Sequence, residues 1–331
     1  MIPEKIPSSK LGRVLCVDDE PSILRSLQWL LKKQFDVQIA TSGHEALELV
    51  RSNAFDVIIS DQRMPGMMGS EFLREVRKIS PRSMRILLTG YSDLQAILRS
   101  VNDGEVFRFV NKPWSTKDLP KIIADAASIS QNGPLEMFLP DTDMGSEIVT
   151  SDESILLIDD DPVTRQLVSE AIGTDVNVVH ATTLPEAVAA FNEHTVGIVL
   201  SDTRVNNIET TTMLKVLKQE HPGIVTVVYT ATTDAVDVTT LINQGQIFRF
   251  IPKPVRAVML KQALMAAALK RRQLRDSPNA AIRHTVDQVS EEEKSNMLKT
   301  IHQSAVVAST SDGGNLLQRI GGSFKRMFGV F

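Results

Sequence analysis

The sequence predicts an α/β protein made of two doubly wound, five-stranded parallel sheets, and three observations carry that expectation. One set of sequence blocks occurs twice in fixed register. Within each copy, short apolar runs alternate with amphipathic stretches, the pattern of βα units. The apolar runs also lack the every-other-residue polarity of a half-exposed strand, as strands covered on both faces should. The first copy reads Val14-Leu15-Cys16-Val17-Asp18-Asp19-Glu20-Pro21, then Val57-Ile58-Ile59-Ser60-Asp61, Ile86-Leu87-Leu88-Thr89, and Phe109 with Lys112-Pro113. The second reads Ile155-Leu156-Leu157-Ile158-Asp159-Asp160-Asp161-Pro162, then Asp202, Thr230, Phe250 and Lys253-Pro254. The offsets 159−18 and 253−112 alike give 141, so the key positions are separated without net insertion. A repeat of that length is a domain rather than a solenoid unit.

In the first copy the apolar runs predict strands near 13–18, 36–40, 55–60, 84–89 and 106–110. Helical periodicity predicts helices near 21–33, 43–52, 69–79, 92–102 and 115–129. The same elements, shifted by 141, predict the second copy, which closes in a longer helix from about 255 to 274. Five strands and five helices per copy suggest the strand order 2-1-3-4-5. The division is an N-terminal extension (1–10), a first domain (11–130), a linker (131–153), a second domain (154–275) and a C-terminal tail (276–331). The linker reading rests on Gly133, Pro134, Pro140 and Gly145 without a helical period.

Composition sets bounds. At 331 residues, 42% hydrophobic and 23% charged, the chain has the balance of ordinary globular domains. A net charge of −4 gives no overall attraction to phosphate backbones and argues against nucleic acid as a partner. Cys16, the single cysteine, has no internal disulfide partner and reads as a small buried residue. The N-terminus lacks the apolar run of a secretion signal, and no stretch is long and apolar enough for a membrane span. A cytoplasmic location is expected.

In such a sheet ligands bind beyond the carboxyl ends of the strands. Asp18 and Asp19 end the first strand, Asp61 lies just past the third, Thr89 ends the fourth, and Lys112 lies just past the fifth. These five residues should therefore converge. Crowded carboxylates resist joint ionisation unless a cation offsets them. An oxygen-only set without His or Cys favours a hard ion such as Mg²⁺. With a lysine ammonium and a threonine hydroxyl alongside, the group suits phosphoryl transfer to a carboxylate. Each residue alone has a duller reading. Asp19 could cap a helix, Asp61 could open a turn, Thr89 could cap the next helix, and Lys112-Pro113 could be plain loop. Their joint occurrence at the ligand end, twice, favours function.

Both copies resemble receiver domains of two-component response regulators, whose fold is flavodoxin-like. The first carries Val17-Asp18-Asp19-Glu20-Pro21, Ser60-Asp61-Gln62-Arg63-Met64-Pro65-Gly66, Leu88-Thr89-Gly90-Tyr91 and Phe109-Val110-Asn111-Lys112-Pro113. The resemblance implies that Asp61 accepts phosphate from a histidine kinase or phosphotransfer protein. It implies that Asp19, Asp61 and the Arg63 carbonyl hold Mg²⁺, with Asp18 acting through water. Thr89 and Lys112 would contact the phosphoryl group, Phe109 would turn inward, and the Lys112-Pro113 bond would be cis. A new dianion would then bias the face made by the fourth helix, fifth strand and fifth helix.

In the second copy the corresponding residues are Asp159, Asp160, Asp202, the Arg204 carbonyl, Thr230, Phe250 and Lys253. That copy departs after its acceptor, where Val205-Asn206-Asn207 replaces Met64-Pro65-Gly66 and Thr210 replaces Gly69. Asp202 is thus either a second acceptor or part of a receiver-shaped docking module. The wider alternative is a scaffold that works without phosphate.

The tail shows no constellation for a catalytic output, so the chain is expected not to be an enzyme. Its six basic and six acidic residues argue against DNA binding. Ser290 with Glu293 forms a capping box ahead of Met297, Leu298 and Ile301. Residues 308–314 read as flexible. Within 315–331, Leu317, Ile320, Phe324, Phe328 and Phe331 recur near helical spacing beside Arg319, Lys325 and Arg326. That pattern suits contact with a partner groove or an anionic membrane surface, or packing on the chain itself. The downstream protein is unspecified, and pairing within the chain or across a homodimer stays open.

Overall fold

The computed structural model describes residues 10–90, 106–132, 152–173, 176–231, 241–243, 247–276 and 289–311. The chain forms two compact units, one around each repeat. In the first, strands β1 (Arg13–Val17), β2 (Asp36–Ala40), β3 (Val57–Asp61), β4 (Met84–Thr89) and β5 (Arg108–Asn111) form one parallel sheet. Its order is β2-β1-β3-β4-β5, as expected. The described helices are α1 (Pro21–Leu31), α2 (Gly43–Ser52), α3 (Gly69–Ile79) and α4 (Asp118–Asn132). The helix expected at 92–102 lies outside the described residues.

The sheet is apolar on both faces because helices cover both. Val14, Cys16, Val57, Ile59, Ile86 and Leu88 pack with Leu24, Leu27 and Leu31 of α1 and with Ile123 and Ala126 of α4. Leu15, Ile58 and Leu87, also fully buried, alternate with these along their strands and so face the opposite side. Cys16 is buried with its thiol pushed up to about 12 by burial, so it serves as core and not as a nucleophile.

In the second unit β6 (Ser154–Ile158), β7 (Val178–Ala181), β8 (Val196–Ser201), β11 (Val225–Thr230) and β12 (Arg249–Pro252) make a parallel sheet ordered β12-β11-β8-β6-β7. Read from its other edge, this is the same order. Its described helices are α5 (Pro162–Ile172), α6 (Leu184–Glu193), α7 (Thr211–Glu220) and α8 (Ala257–Asp276). One feature was not expected, and one helix runs further than expected. A two-stranded antiparallel hairpin, β9 (Arg204–Val205) with β10 (Ile208–Glu209), follows the acceptor position. A further helix, α9 (Glu291–Ser311), packs on α6 and α7.

Helix α9 confirms the capping box. Ser290 N donates to Glu293 Oε2 at 2.9 Å, and Glu293 N donates back to Ser290 Oγ at 3.2 Å. The expectation that 308–314 is flexible fails for 308–311, which belong to the helix. The cap starts the helix, and a stripe of Met297, Ile301 and Ala305, all buried, carries it onward by packing. Residues 312–331, including the segment 315–331, lie outside the described residues. Where α9 docks, α7 is buried around most of its girth: Met213, Leu214, Lys215, Val216, Leu217 and Lys218 are all inside. Its first-unit counterpart, α3, buries only Gly69, Phe72, Leu73 and Val76. Lys215 Nζ meets Glu293 Oε1 at 3.3 Å. Lys218, pushed down to about 7 by burial and by the charges of Lys270 and Arg271, donates to the carbonyls of Pro222 (2.9 Å) and Ile224 (2.7 Å).

If α9 is an integral layer of the second unit, Ile301→Ala should lower that unit's stability by about 2–4 kcal/mol, the usual cost of truncating a buried isoleucine. Val306→Ala, at an exposed position on the same helix, should change it by less than about 0.5 kcal/mol. Chemical denaturation of the two variants checks both values.

Candidate functional site

At the carboxyl end of the first sheet three separate elements converge. Asp18 follows β1, Asp61 closes β3, and Lys112 follows β5, with Lys112 N donating to the Thr89 carbonyl at the end of β4 (2.8 Å). The Lys112 ammonium bridges two acids, lying 2.9 Å from Asp18 Oδ2 and 2.7 Å from Asp61 Oδ1. The Asp18 side chain is 1% exposed and that of Asp61 10%, so the bridge sits at the floor of the site. Asp18 Oδ1 also accepts Glu20 N (2.9 Å), and Asp61 Oδ2 accepts Arg63 N (2.7 Å). Asp19 is exposed beside them. The Thr89 hydroxyl donates to Asn111 Oδ1 at 3.3 Å, and Phe109 is buried. The Lys112-Pro113 and Lys253-Pro254 bonds are both cis.

The second unit repeats the floor. Lys253 Nζ lies 2.7 Å from Asp159 Oδ2 and 2.6 Å from Asp202 Oδ2. Asp160 is exposed and Phe250 is buried. Burial pulls the Lys112 and Lys253 ammoniums down, but the bonds to their two aspartates more than offset this and leave both raised. Burial likewise raises Asp202, yet Lys253, Thr230 and the Thr203 N–H together hold it below its ordinary value.

Of the expected site residues, Asp18, Asp61 and Lys112 meet in the first unit and Asp159, Asp202, Lys253 and Thr230 in the second, while Arg204 keeps its side chain apart. Its side chain is exposed and pairs with Glu209 across the hairpin (3.1 Å). Only its backbone carbonyl could serve a cation, as the sequence reading required. Two residues escaped that reading. Thr203, where the first copy has Gln62, puts its hydroxyl 3.2 Å from Asp202 Oδ1 and 2.8 Å from the Thr230 hydroxyl. Asn206 donates its backbone N–H to Asp160 Oδ2 at 3.0 Å. Aligning the copies at the 141-residue offset exposes both positions, but local propensity gives no sign of their contacts.

The donor set fits Mg²⁺. In each site one ammonium bridges two carboxylates, and the exposed acid next in sequence (Asp19 or Asp160) adds a third negative charge nearby, leaving two for a dication to balance. Among the described residues no three His, Cys, Asp or Glu side chains gather closely enough to cage an ion alone. That suits an ion that keeps several waters and takes only one or two carboxylates.

The lysine bridges make stability depend on pH. Since Lys112 and Lys253 are raised in the folded state, their contribution is complete below the unfolded value of 10.5 and is lost as pH climbs through the folded values. Asp202, lowered on folding, contributes above its unfolded value of 3.8 and loses that contribution as pH falls through the folded value. Lys112→Met, which leaves Asp18 buried without its cation, should cost about 3 kcal/mol at neutral pH. Urea denaturation across a pH series checks the alkaline loss and the variant's cost.

Comparison with known proteins agrees with this geometry. The family model for the response regulator receiver domain matches residues 14–124 and again 155–265. The Hydrogenase transcriptional regulatory protein HoxA of Cupriavidus necator is 40% identical over 107 residues, 32% of this chain and 22% of that protein. The Transcriptional regulatory protein GlrR of Escherichia coli is 33% identical over 128 residues, 38% of this chain and 28% of that protein. The chain thus spans about a quarter of the length of these relatives. Among solved structures, a response regulator receiver domain protein from Clostridium thermocellum is 32% identical, covering 36% of this chain and 97% of its own, with a TM-score of 0.34. With two matched domains spanning about two thirds of its length, the chain belongs to the response regulator receiver family.

Proposed function

We propose that this protein is a two-component response regulator that accepts a phosphoryl group on Asp61, with Asp202 as the second candidate acceptor. One observation carries the reading: Lys112 clamps Asp18 and Asp61 together at the carboxyl end of the sheet. The donor is a phosphohistidine on a histidine kinase or phosphotransfer protein. An Asp61 carboxylate oxygen forms the new O–P bond while the P–N bond breaks, and its electron pair leaves with the imidazole, which is then protonated. Mg²⁺, held by Asp19, Asp61 and the Arg63 carbonyl with Asp18 acting through water, would neutralise charge on the transferred group. Lys112 balances the acyl phosphate's remaining charge, and the Thr89 hydroxyl, at the end of the neighbouring strand β4, would turn from Asn111 to donate to it. In the second unit Asp159, Asp160, Asp202, the Arg204 carbonyl, Thr230 and Lys253 take the same roles.

The output is contact with another protein, or onward transfer of the phosphoryl group, and not catalysis by the chain itself. The named relatives are transcriptional regulators, and the present chain covers only part of their length. Segment 315–331 remains the candidate for a partner groove or an anionic membrane surface.

Incubating the full chain with a small phosphodonor and Mg²⁺, then locating modified aspartates by mass spectrometry, tests the reading. Asp61 should be labelled, Asp61→Asn should abolish that label, and Lys112→Ala or chelation of Mg²⁺ should reduce it at least about tenfold. No label at Asp61, under conditions that label a control receiver, would leave a phosphate-independent scaffold as the function.

A further inference from the structure

The two acceptor loops differ for a reason that can be read residue by residue. In the first unit the chain passes from Asp61 through Gly66 (φ 78°) to Gly69, where the backbone runs against the acceptor. A Cβ on Gly69 would sit 1.9 Å from the Asp61 carbonyl oxygen, so no other residue fits that path. The second unit has Thr210 there and cannot follow it. Instead Asn206 (φ 50°) and Asn207 (φ 60°) form the left-handed two-residue turn of the β9–β10 hairpin. Thr210 turns its hydroxyl onto the Asp202 carbonyl at 2.7 Å.

The new path lays the chain's own groups on the site. The Asn206 N–H takes Asp160 Oδ2, and Asn206 Nδ2 donates to the Thr182 carbonyl (2.7 Å), tying the hairpin to the β7–α6 loop. Thr203 joins the acceptor carboxylate to the Thr230 hydroxyl, the group that would otherwise turn to a phosphoryl oxygen. In the first unit the corresponding Gln62 points away, pairing with Ser70 (3.1 and 3.2 Å).

We propose that hairpin β9–β10 and Thr203 form a built-in lock on the second receiver, which keeps its switch threonine set without phosphate and makes it load after the first. Cation binding there competes with the Asn206 N–H for Asp160, and phosphorylation competes with Thr203 for Asp202 and Thr230. Thr203 is thus a positioning residue, acting through Thr230 and the acceptor. The inference rests on the reading of Asp61 as an acceptor, and deepens it by setting an order between the two sites.

The test uses the full chain with a small phosphodonor and Mg²⁺, counting label at the two aspartates separately. In wild type, label at Asp61 should exceed label at Asp202 at least about tenfold at early times. Thr203→Val, which deletes the hydroxyl but keeps shape and backbone N–H, should raise Asp202 labelling about tenfold. That is the scale of one lost hydrogen bond to a charged group, about 1.4 kcal/mol. Thr203→Ser should behave as wild type, and Asp61 labelling should not change in either variant. Asn206→Gly keeps the left-handed turn, loses the tie to Thr182, and should shift Asp202 in the same direction. Calorimetric titration with Mg²⁺ should resolve a tighter and a weaker class of site, with only the weaker strengthened in Asn206→Gly, where the hairpin, released from Thr182, draws the retained N–H of residue 206 away from Asp160. Both tryptophans, Trp29 and Trp114, belong to the first receiver, so their fluorescence assigns the tighter class to it. Equal labelling of Asp61 and Asp202 in wild type, or no gain at Asp202 in both folded variants, would overturn the lock. Absence of label at Asp61 would instead overturn the underlying function.

Discussion

One ammonium shared by two aspartates organises each receiver. Lys112 joins the ends of β1 and β3 from beyond β5, and Lys253 does the same for β6, β8 and β12. Only the 2-1-3-4-5 order makes this reachable, because it puts the first and third strands side by side and directs every strand's carboxyl end the same way. The requirement propagates backwards into the sequence. The strands must be apolar on both faces, the acids must come immediately after them, and the lysine must follow the last strand within a residue or two. A carboxylate as buried as Asp18 or Asp159 is tolerable because that cation and a backbone N–H satisfy it.

Much of this was legible in the sequence because it is periodic and local. Non-alternating runs such as Val57-Ile58-Ile59 fixed the covered strands, and the 141-residue register carried the five strands and the described helices from one copy to the other. The ends of elements moved by one to three residues; β5 begins at Arg108 and α4 at Asp118. Gathering of Asp18, Asp61 and Lys112 was also foreseeable, since strand order alone dictates it. The hairpin was not. Val205-Asn206-Asn207-Ile208 is a good two-residue turn sequence, but the first copy offered a loop as its template, and the decisive fact is a steric one at Gly69 that only coordinates reveal. Nor was the full length of α9 foreseeable. Ser309-Thr310-Ser311 has weak helix propensity, and the helix persists there because its earlier turns are packed.

The divergence of the second copy is coherent rather than scattered. Replacing Gly69 by Thr210 forbids the first copy's loop, while replacing Gly43 by Leu184 fills the space against which Met67 rests in the first unit. With that space closed and the path blocked, a tight hairpin is the economical route back to the next helix. Its left-handed turn falls on two asparagines, the residues other than glycine that best accept that conformation. The exchange of Gln62 for Thr203 completes the set, since a short hydroxyl reaches inward where a long amide reached out.

Helix α9 extends the same logic beyond the site. The residue that closes the rebuilt loop, Thr210, is also the N-cap of α7, so any movement at Asp202 must pull on that helix. In the first unit the equivalent helix buries Phe72, Leu73 and Val76 on one side and presents a charged outer face to solvent. In the second, α7 is an interior helix, held between sheet and α9 by apolar contacts and by the Lys215–Glu293 pair. Displacing it would expose side chains whose burial is worth roughly 1.5–3 kcal/mol each. A loop anchored to an element that costly to move is suited to holding one arrangement, whereas the first unit's glycine-jointed loop is suited to exchanging between two.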